Sequence, residues 1–390
     1  MDRCRVCGSG SVAEFVKILQ VPVHCNLLWP TRDAALGAPR GDLRLGFCSD
    51  CGHVFNISFD PGLMEYTQAY ENSLHFSPRF QAYAEALATR LIEQYGLRGK
   101  DVIDIGCGKG DFLALLCSLG ENRGVGFDPS YVPEQMHKPG ADRMTIVQDF
   151  YSPRYSGYRA DLMTCRHVLE HIPVPREFLQ NIRSAIGERP DTVVFFEVPN
   201  VLYTLRDMGI WDLIYEHCSY FSGPSLERLF GLSGFDVCGR SEMYEGQFLG
   251  IDAIPRSPGT SPASPRQESL EELKGYVAAF AENYKQKVAL WRQTFAHAAA
   301  QGERVVVWGG GSKGVTFLNT LDTARVVQYM VDINPRKHGM YVGGSGQRIV
   351  APEFLLDYKP DMIVVMNPVY VHEIREHLDT MEIASPVTVA

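Results

Sequence analysis

The run "IYEHCSYFS", Ile214 to Ser222, sets four proton-exchanging side chains in a row: Tyr215, Glu216, His217 and Cys218. A solvated loop is usually more polar than this, and a core strand rarely carries an adjacent Glu and His. Histidine titrates near neutrality, so His217 suits a general base, and Glu216 could orient the imidazole or hold its cationic form. In extended chain these neighbours point to opposite faces, so a turn is needed for both to reach one substrate. Tyr215 is a further catalytic candidate, and Cys218 reads as packing. Elsewhere, "CRVC" and "CSDC" supply Cys4, Cys7, Cys48 and Cys51. Two C-x-x-C knuckles present four thiolates to one tetrahedral ion and leave no open position, so the expected ion is a structural Zn2+. The 40 residues between the pairs imply an inserted loop or hairpin, in which His24 and Cys25 read as bystanders.

Strand–helix alternation must position the first run. In "DVIDIGCGKGDFLALLCSLG" a short apolar strand ends at Asp104, passes through Gly106, Gly108 and Gly110, and enters an apolar helix. Such a turn brings backbone close to a ligand at a helix N-terminus. The next strand ends in Asp128, 22 residues after Gly106, where a carboxylate can accept both ribose hydroxyls. A third strand ends in Asp149 and Phe150, an acid and an apolar residue able to bracket adenine. The fourth, in "ADLMTCRHVLEHI", delivers His167, Glu170 and His171 at its end, and "TVVFFEVPN" is the fifth. The expectation is a doubly wound parallel sheet with its crevice at the carboxyl ends of the strands. Glycine turns alone suit NAD or S-adenosylmethionine. The acid ending the first strand, able to sit near the amino group of a methionine moiety, and the Asp149–Phe150 pair favour S-adenosylmethionine, with His167 beside it. His171 is a candidate for catalysis or substrate contact. Tyr70 and His75, just before this core, are weaker candidates on a lid.

"PRSPGTSPASPRQ" reads as an exposed linker, followed by a long helical stretch. Then "RVVVWGGGSKGVTFLNTL" repeats the strand–turn–helix pattern with Gly309, Gly311, Lys313 and Gly314, and a further strand ends in Asp332. This turn could hold a nucleotide-sugar phosphate or NAD, or serve packing alone. The fold class is therefore α/β: two Rossmann-like doubly wound domains and a small N-terminal zinc-binding module. The boundaries are 1–80 for the module, 81–255 for the methyl-donor domain, 256–300 for linker and helix, and 301–390 for the second Rossmann-like domain.

Net charge is 37 − 46 = −9, without a long basic run, which counts against nucleic acid as the main partner. No apolar run is long enough to span a membrane, and the first residues lack a signal-peptide pattern, so a cytoplasmic protein is expected.

The order of paired C-x-x-C, "DIGCGKG", "HVLEHIP", "YEH", helical linker and "VVVWGGGSKG" resembles the S-adenosylmethionine-dependent sugar C-methyltransferases of nucleotide-deoxysugar biosynthesis. That resemblance, over nearly the whole chain, implies a C-terminal domain that helps bind a nucleotide-linked sugar. It also implies an enolate formed beside the sugar ketone, with Glu216, His217 and His171 at the family's base positions. The family's Tyr-x-Glu-His tyrosine falls on Ile214 here, with Tyr215 one place later. Other readings keep the methyl donor but change the acceptor to another small metabolite, to nucleic acid or to protein, or make the chain a non-catalytic binder. A nucleic-acid modifier would show a continuous basic surface at the donor pocket.

Overall fold

The computed structural model describes residues 3–64, 71, 73–132, 139–257, 267–321, 323 and 325–390, with the side chains of 267–269 left aside. Tyr70 and most of the linker lie outside the described residues.

The N-terminal module is built on β1 (Val12–Pro22), β2 (Arg40–Cys48) and β3 (Val54–Asn56), paired antiparallel in that order. The central domain opens with a helix, Pro78–Tyr95. Ser77 caps it by accepting the Phe80 N–H, and Gly96 ends it in the left-handed region at φ 61. Its strands are β4 (Asp101–Ile105), β5 (Arg123–Phe127), β6 (Met144–Val147), β7 (Leu162–Arg166) and β8 (Val193–Pro199), all mutually parallel. β8, "VVFFEVP", is buried along almost its whole length, as a strand covered on both faces must be. β9 (Ser219–Tyr220) leaves this domain and pairs antiparallel with β3, giving the N-terminal sheet the order β1-β2-β3-β9. β10 (Phe235–Met243) and β11 (Phe248–Pro255) form an antiparallel hairpin on the edge of β8. The seven-stranded order is β10-β11-β8-β7-β4-β5-β6. The sheet is therefore mixed rather than wholly parallel, because a tight hairpin connects β10 and β11 where a parallel pair would need a crossover.

A helix of 35 residues, Gln267–Gln301, leads to β12 (Val305–Trp308), β13 (Val327–Val331), β14 (Arg348–Val350), β15 (Met362–Val365) and β16 (Val387–Val389). These form an all-parallel sheet of order β14-β13-β12-β15-β16. The strand order reverses beside β12, which puts the turn carrying Gly309–Gly314 at the switch point.

One buried cluster joins Leu43, Leu45 and Val54 of the N-terminal sheet to Tyr215, Phe280 and Trp291 and to Phe317 of the C-terminal domain. A boundary near residue 80 thus divides the chain's secondary structure but not its packing. Among the described residues no helix is long and apolar enough to cross a membrane.

Candidate active site

Where β4 ends, Gly108 (φ 55) has nothing within 4 Å of the position a Cβ would take, so its face is open to a ligand. Gly106 is closed instead: a Cβ there would stand 2.2 Å from Val168 Cγ2. Asp128 supports the turn from the end of β5. Its Oδ2 accepts the Gly108 N–H at 2.8 Å, and its Oδ1 accepts the Ser130 N–H and hydroxyl at 2.8 and 2.6 Å. Asp104 lies beneath the turn, buried, with Thr164 Oγ1 donating to its Oδ1 at 2.7 Å. Burial pushes its carboxyl up to about 6. Beyond β6, Asp149 accepts from the Tyr155 hydroxyl at 2.6 Å and the Phe150 N–H at 2.8 Å, and Phe150 stands 64% exposed.

The end of β7 carries a charged network that motif spacing does not disclose. Arg166 donates twice to Glu197 Oε1, at 3.0 and 2.9 Å, and its guanidinium stacks 4.2 Å from the Phe112 ring centroid. The Tyr83 hydroxyl donates to the other Glu197 oxygen. His167, held at φ 54, donates its backbone N–H to the Glu197 carbonyl and sets its Nε2 2.8 Å from Glu197 Oε1. Burial alone would raise the Glu197 carboxyl, but Arg166, His167 and Tyr83 outweigh it and hold it at about 2. Sequence signals for this network were a lone Glu inside an apolar strand and a lone Arg at another strand's end.

The histidine pair lies one turn further on. After β7 the chain makes a single helical turn, Leu169–His171, that aims His171 at His217, with ring centroids 4.9 Å apart. His171 Nδ1 lies 3.0 Å from the Glu216 carbonyl. A carbonyl only accepts, so Nδ1 carries the proton and Nε2 keeps the lone pair. Burial pushes His171 down to about 4 and His217 well below its ordinary value, so both rings are neutral bases. Glu170 sits between them and His167, 1% exposed, with no hydrogen bond to either carboxylate oxygen among the described residues. Burial pushes it up to about 8.

The rest of the run faces elsewhere. The Glu216 carboxylate accepts the backbone N–H of Cys25 at 2.5 Å, while the Cys25 thiol stays outside the four-cysteine cluster. The Tyr215 ring enters the N-terminal module, stacked on Phe59 at 5.4 Å, with its hydroxyl accepting the Asp60 N–H at 2.9 Å. His217 and His171 thus come together, while the Glu216 side chain and Tyr215 brace the run from behind. His75 rests against Phe80, ring centroids 5.2 Å apart.

The C-terminal turn mirrors the central one. Asp332 accepts the Gly310 N–H at 2.8 Å, Gly311 faces open space, and a Cβ on Gly314 would stand 2.2 Å from the Gly309 carbonyl oxygen. Lys313 leaves this turn to pair with Asp212 of the central domain, and its charge is among those that lower His217. Glu71 joins the same three regions, accepting from Lys109 of the donor turn at 2.9 Å, Asn334 at 3.2 Å and Arg336 at 3.4 Å. In the N-terminal module one sulfur each of Cys4, Cys7, Cys48 and Cys51 lies within 4.8 Å of the others. The Cys4–Cys51 and Cys7–Cys48 pairs are 3.5 and 3.7 Å apart, close to the roughly 3.8 Å edge of a tetrahedral zinc–thiolate site.

Comparison with known proteins bears on this geometry. Residues 78–238 match a methyltransferase domain model, and residues 263–385 match a C-methyltransferase C-terminal domain model. The C-methyltransferase NovU of Streptomyces niveus is 25% identical over 96% of this chain and 91% of its own length. A ubiquinone biosynthesis O-methyltransferase of Actinobacillus pleuropneumoniae is 30% identical over 27% of this chain, and the match spans 48% of that protein. The solved structure of an N,N-8-amino-8-demethyl-D-riboflavin dimethyltransferase from Streptomyces davawensis overlays on 45% of this chain and 54% of its own, at 21% identity and a TM-score of 0.38. The fold assignment rests instead on strand order. The seven-stranded sheet and its donor turn, with the domain match upon them, make the chain an S-adenosylmethionine-dependent methyltransferase. The second domain match and the near full-length relative are both to C-methyltransferases, and they support reading this chain as a C-methyltransferase.

Proposed function

We propose that the protein methylates a carbon beside the ketone of a nucleotide-linked keto-deoxysugar, by way of an enolate formed at the His171–His217 pair. The facing imidazoles carry this reading: two neutral bases with ring centroids 4.9 Å apart, His217 feeling the charge of Lys313 from the C-terminal turn. His217 takes the proton, and His171 commits its Nδ1 to the Glu216 carbonyl. Burial keeps the pair unprotonated, and an enolate forming in that dry space favours the imidazolium that accepts its proton. S-Adenosylmethionine supplies the electrophilic methyl group, with Gly106, Gly108, Gly110, Asp128, Asp149 and Phe150 as its holders. Gly309–Gly314 with Lys313 and Asp332 receives the nucleotide part of the acceptor. The four cysteines hold a structural zinc, whose charge relieves the crowding that otherwise pushes the Cys4 thiol up beside Cys48, and the Cys51 thiol up beside Cys4.

The test is His217→Asn with labelled donor and a panel of nucleotide-linked keto-sugars. Turnover falls by at least about a hundredfold while donor affinity is unchanged, a loss in the range of general-base removal. Turnover near the wild-type rate sinks the reading.

A further inference from the structure

Each methylation of carbon leaves one proton behind, and here the group that takes it is enclosed. Glu170 stands where that proton must pass. Its carboxylate is 1% exposed and has no hydrogen-bond partner among the described residues. A buried polar group without a partner costs stability and asks for a reason. One of its oxygens and one ring nitrogen each of His171 and His217 lie within 4.8 Å of one another. On the other side, Glu170 Oε1 is 3.8 Å from His167 Nδ1. The backbone around it is fixed, since the Glu170 carbonyl accepts the Cys218 thiol at 3.3 Å and the His171 N–H bonds the Val168 carbonyl at 3.0 Å. The carboxyl is therefore carried on a turn whose backbone is held in place.

We infer that Glu170 relays the abstracted proton from the His171–His217 pair to His167, whose side chain is 28% exposed and can pass it to solvent. The relay rests on the enolate reading above. In the chemical step the C–H bond breaks, a ring N–H forms, and the pair left on carbon makes the new carbon–methyl bond. The sulfur–methyl bond breaks with its pair going to sulfur, which neutralises the sulfonium. The proton stays on the imidazolium. Glu170, protonated at neutral pH by its burial, gives its own proton to His167 Nδ1 and takes the imidazolium's on its other oxygen. His167 then releases one proton to water, and the relay is reset.

The experiment uses the full chain and an acceptor deuterated beside the ketone. Without methyl donor, washout of deuterium requires both abstraction and exchange of the captured proton with solvent. With donor, the first turnover of a single-turnover mixture requires abstraction alone. Glu170→Gln keeps shape and neutrality but cannot relay. It is expected to slow washout and steady-state turnover by at least about tenfold, while the first turnover stays at the wild-type rate. Wild-type washout in this variant overturns the relay. Loss of the first turnover together with washout also overturns it, and makes Glu170 part of the base. If Glu170→Gln does not fold, Glu170→Met removes the carboxyl from the same buried place and must show the same split. His217→Asn reports separately on the enolate reading: should it keep both signals, that reading fails whatever Glu170 does.

Discussion

Burial governs the titratable residues near the donor turn, and two of them make opposite predictions. His171 is held at about 4 by burial, below histidine's ordinary 6.5. The unfolded chain therefore takes up this proton before the folded one does. Its contribution to stability is full above pH 6.5 and is lost progressively as pH falls toward 4. Activity should follow the same group: kcat/KM stays level as pH drops through 6.5 and declines only on approach to 4. A pH–rate profile with its acid limb at 6.5 would place a solvated histidine in the role. Glu197 is the opposite case, a buried carboxylate kept ionised by Arg166. Glu197→Leu leaves that guanidinium buried without its partner and should cost about 3–5 kcal/mol in denaturant unfolding. A cost below 1 kcal/mol would mean water already reaches Arg166.

At the scale of elements, β9 and the run before it tie the N-terminal module to the histidine pair. Val54 faces Tyr220 and Phe55 faces Ser219 across β3 and β9, and Tyr215 fills the space over Gly41. With zinc in the four-cysteine site as proposed, chelating it, or making Cys48→Ser, should lower the thermal midpoint and reduce turnover together, the metal's part being structural. A folded, fully active metal-free protein would contradict this. The same elements show what the sequence could and could not disclose. Paired cysteines and glycine turns are local patterns whose meaning is carried by spacing, and the cysteines do converge and the turns do close strands onto helices. The direction of Glu216 is not local. It follows from a strand pairing between residues more than 150 positions apart in the chain, which turns its carboxylate to Cys25. Glu170 stands beside His171 at the end of the fourth strand, and Leu169 and Ile172 around it announce its burial. The β10–β11 hairpin carries little turn signal beyond Gly246, since Tyr244 and Glu245 take positive φ without being glycine.

Across the whole molecule, three regions meet at ion pairs as well as across a shared buried core. Lys313 crosses from the C-terminal turn to Asp212, and Glu71 links Lys109 of the donor turn to Arg336. Lys313→Met removes the first crossing and one positive charge from the acceptor side. Its expected effect is a rise in KM for the nucleotide-linked acceptor, with donor affinity unchanged in a binding titration. A change confined to donor affinity would assign Lys313 to the other ligand. The shared core of Tyr215, Phe280 and Phe317 packs these regions together. The most direct test of carbon methylation through the histidine pair is solvent exchange at the carbon beside the ketone. With a nucleotide-linked keto-sugar in deuterated water and no methyl donor, wild-type protein is predicted to place deuterium on that carbon, and His217→Asn is predicted not to. Methyl transfer without any such exchange, from either protein, would contradict the account.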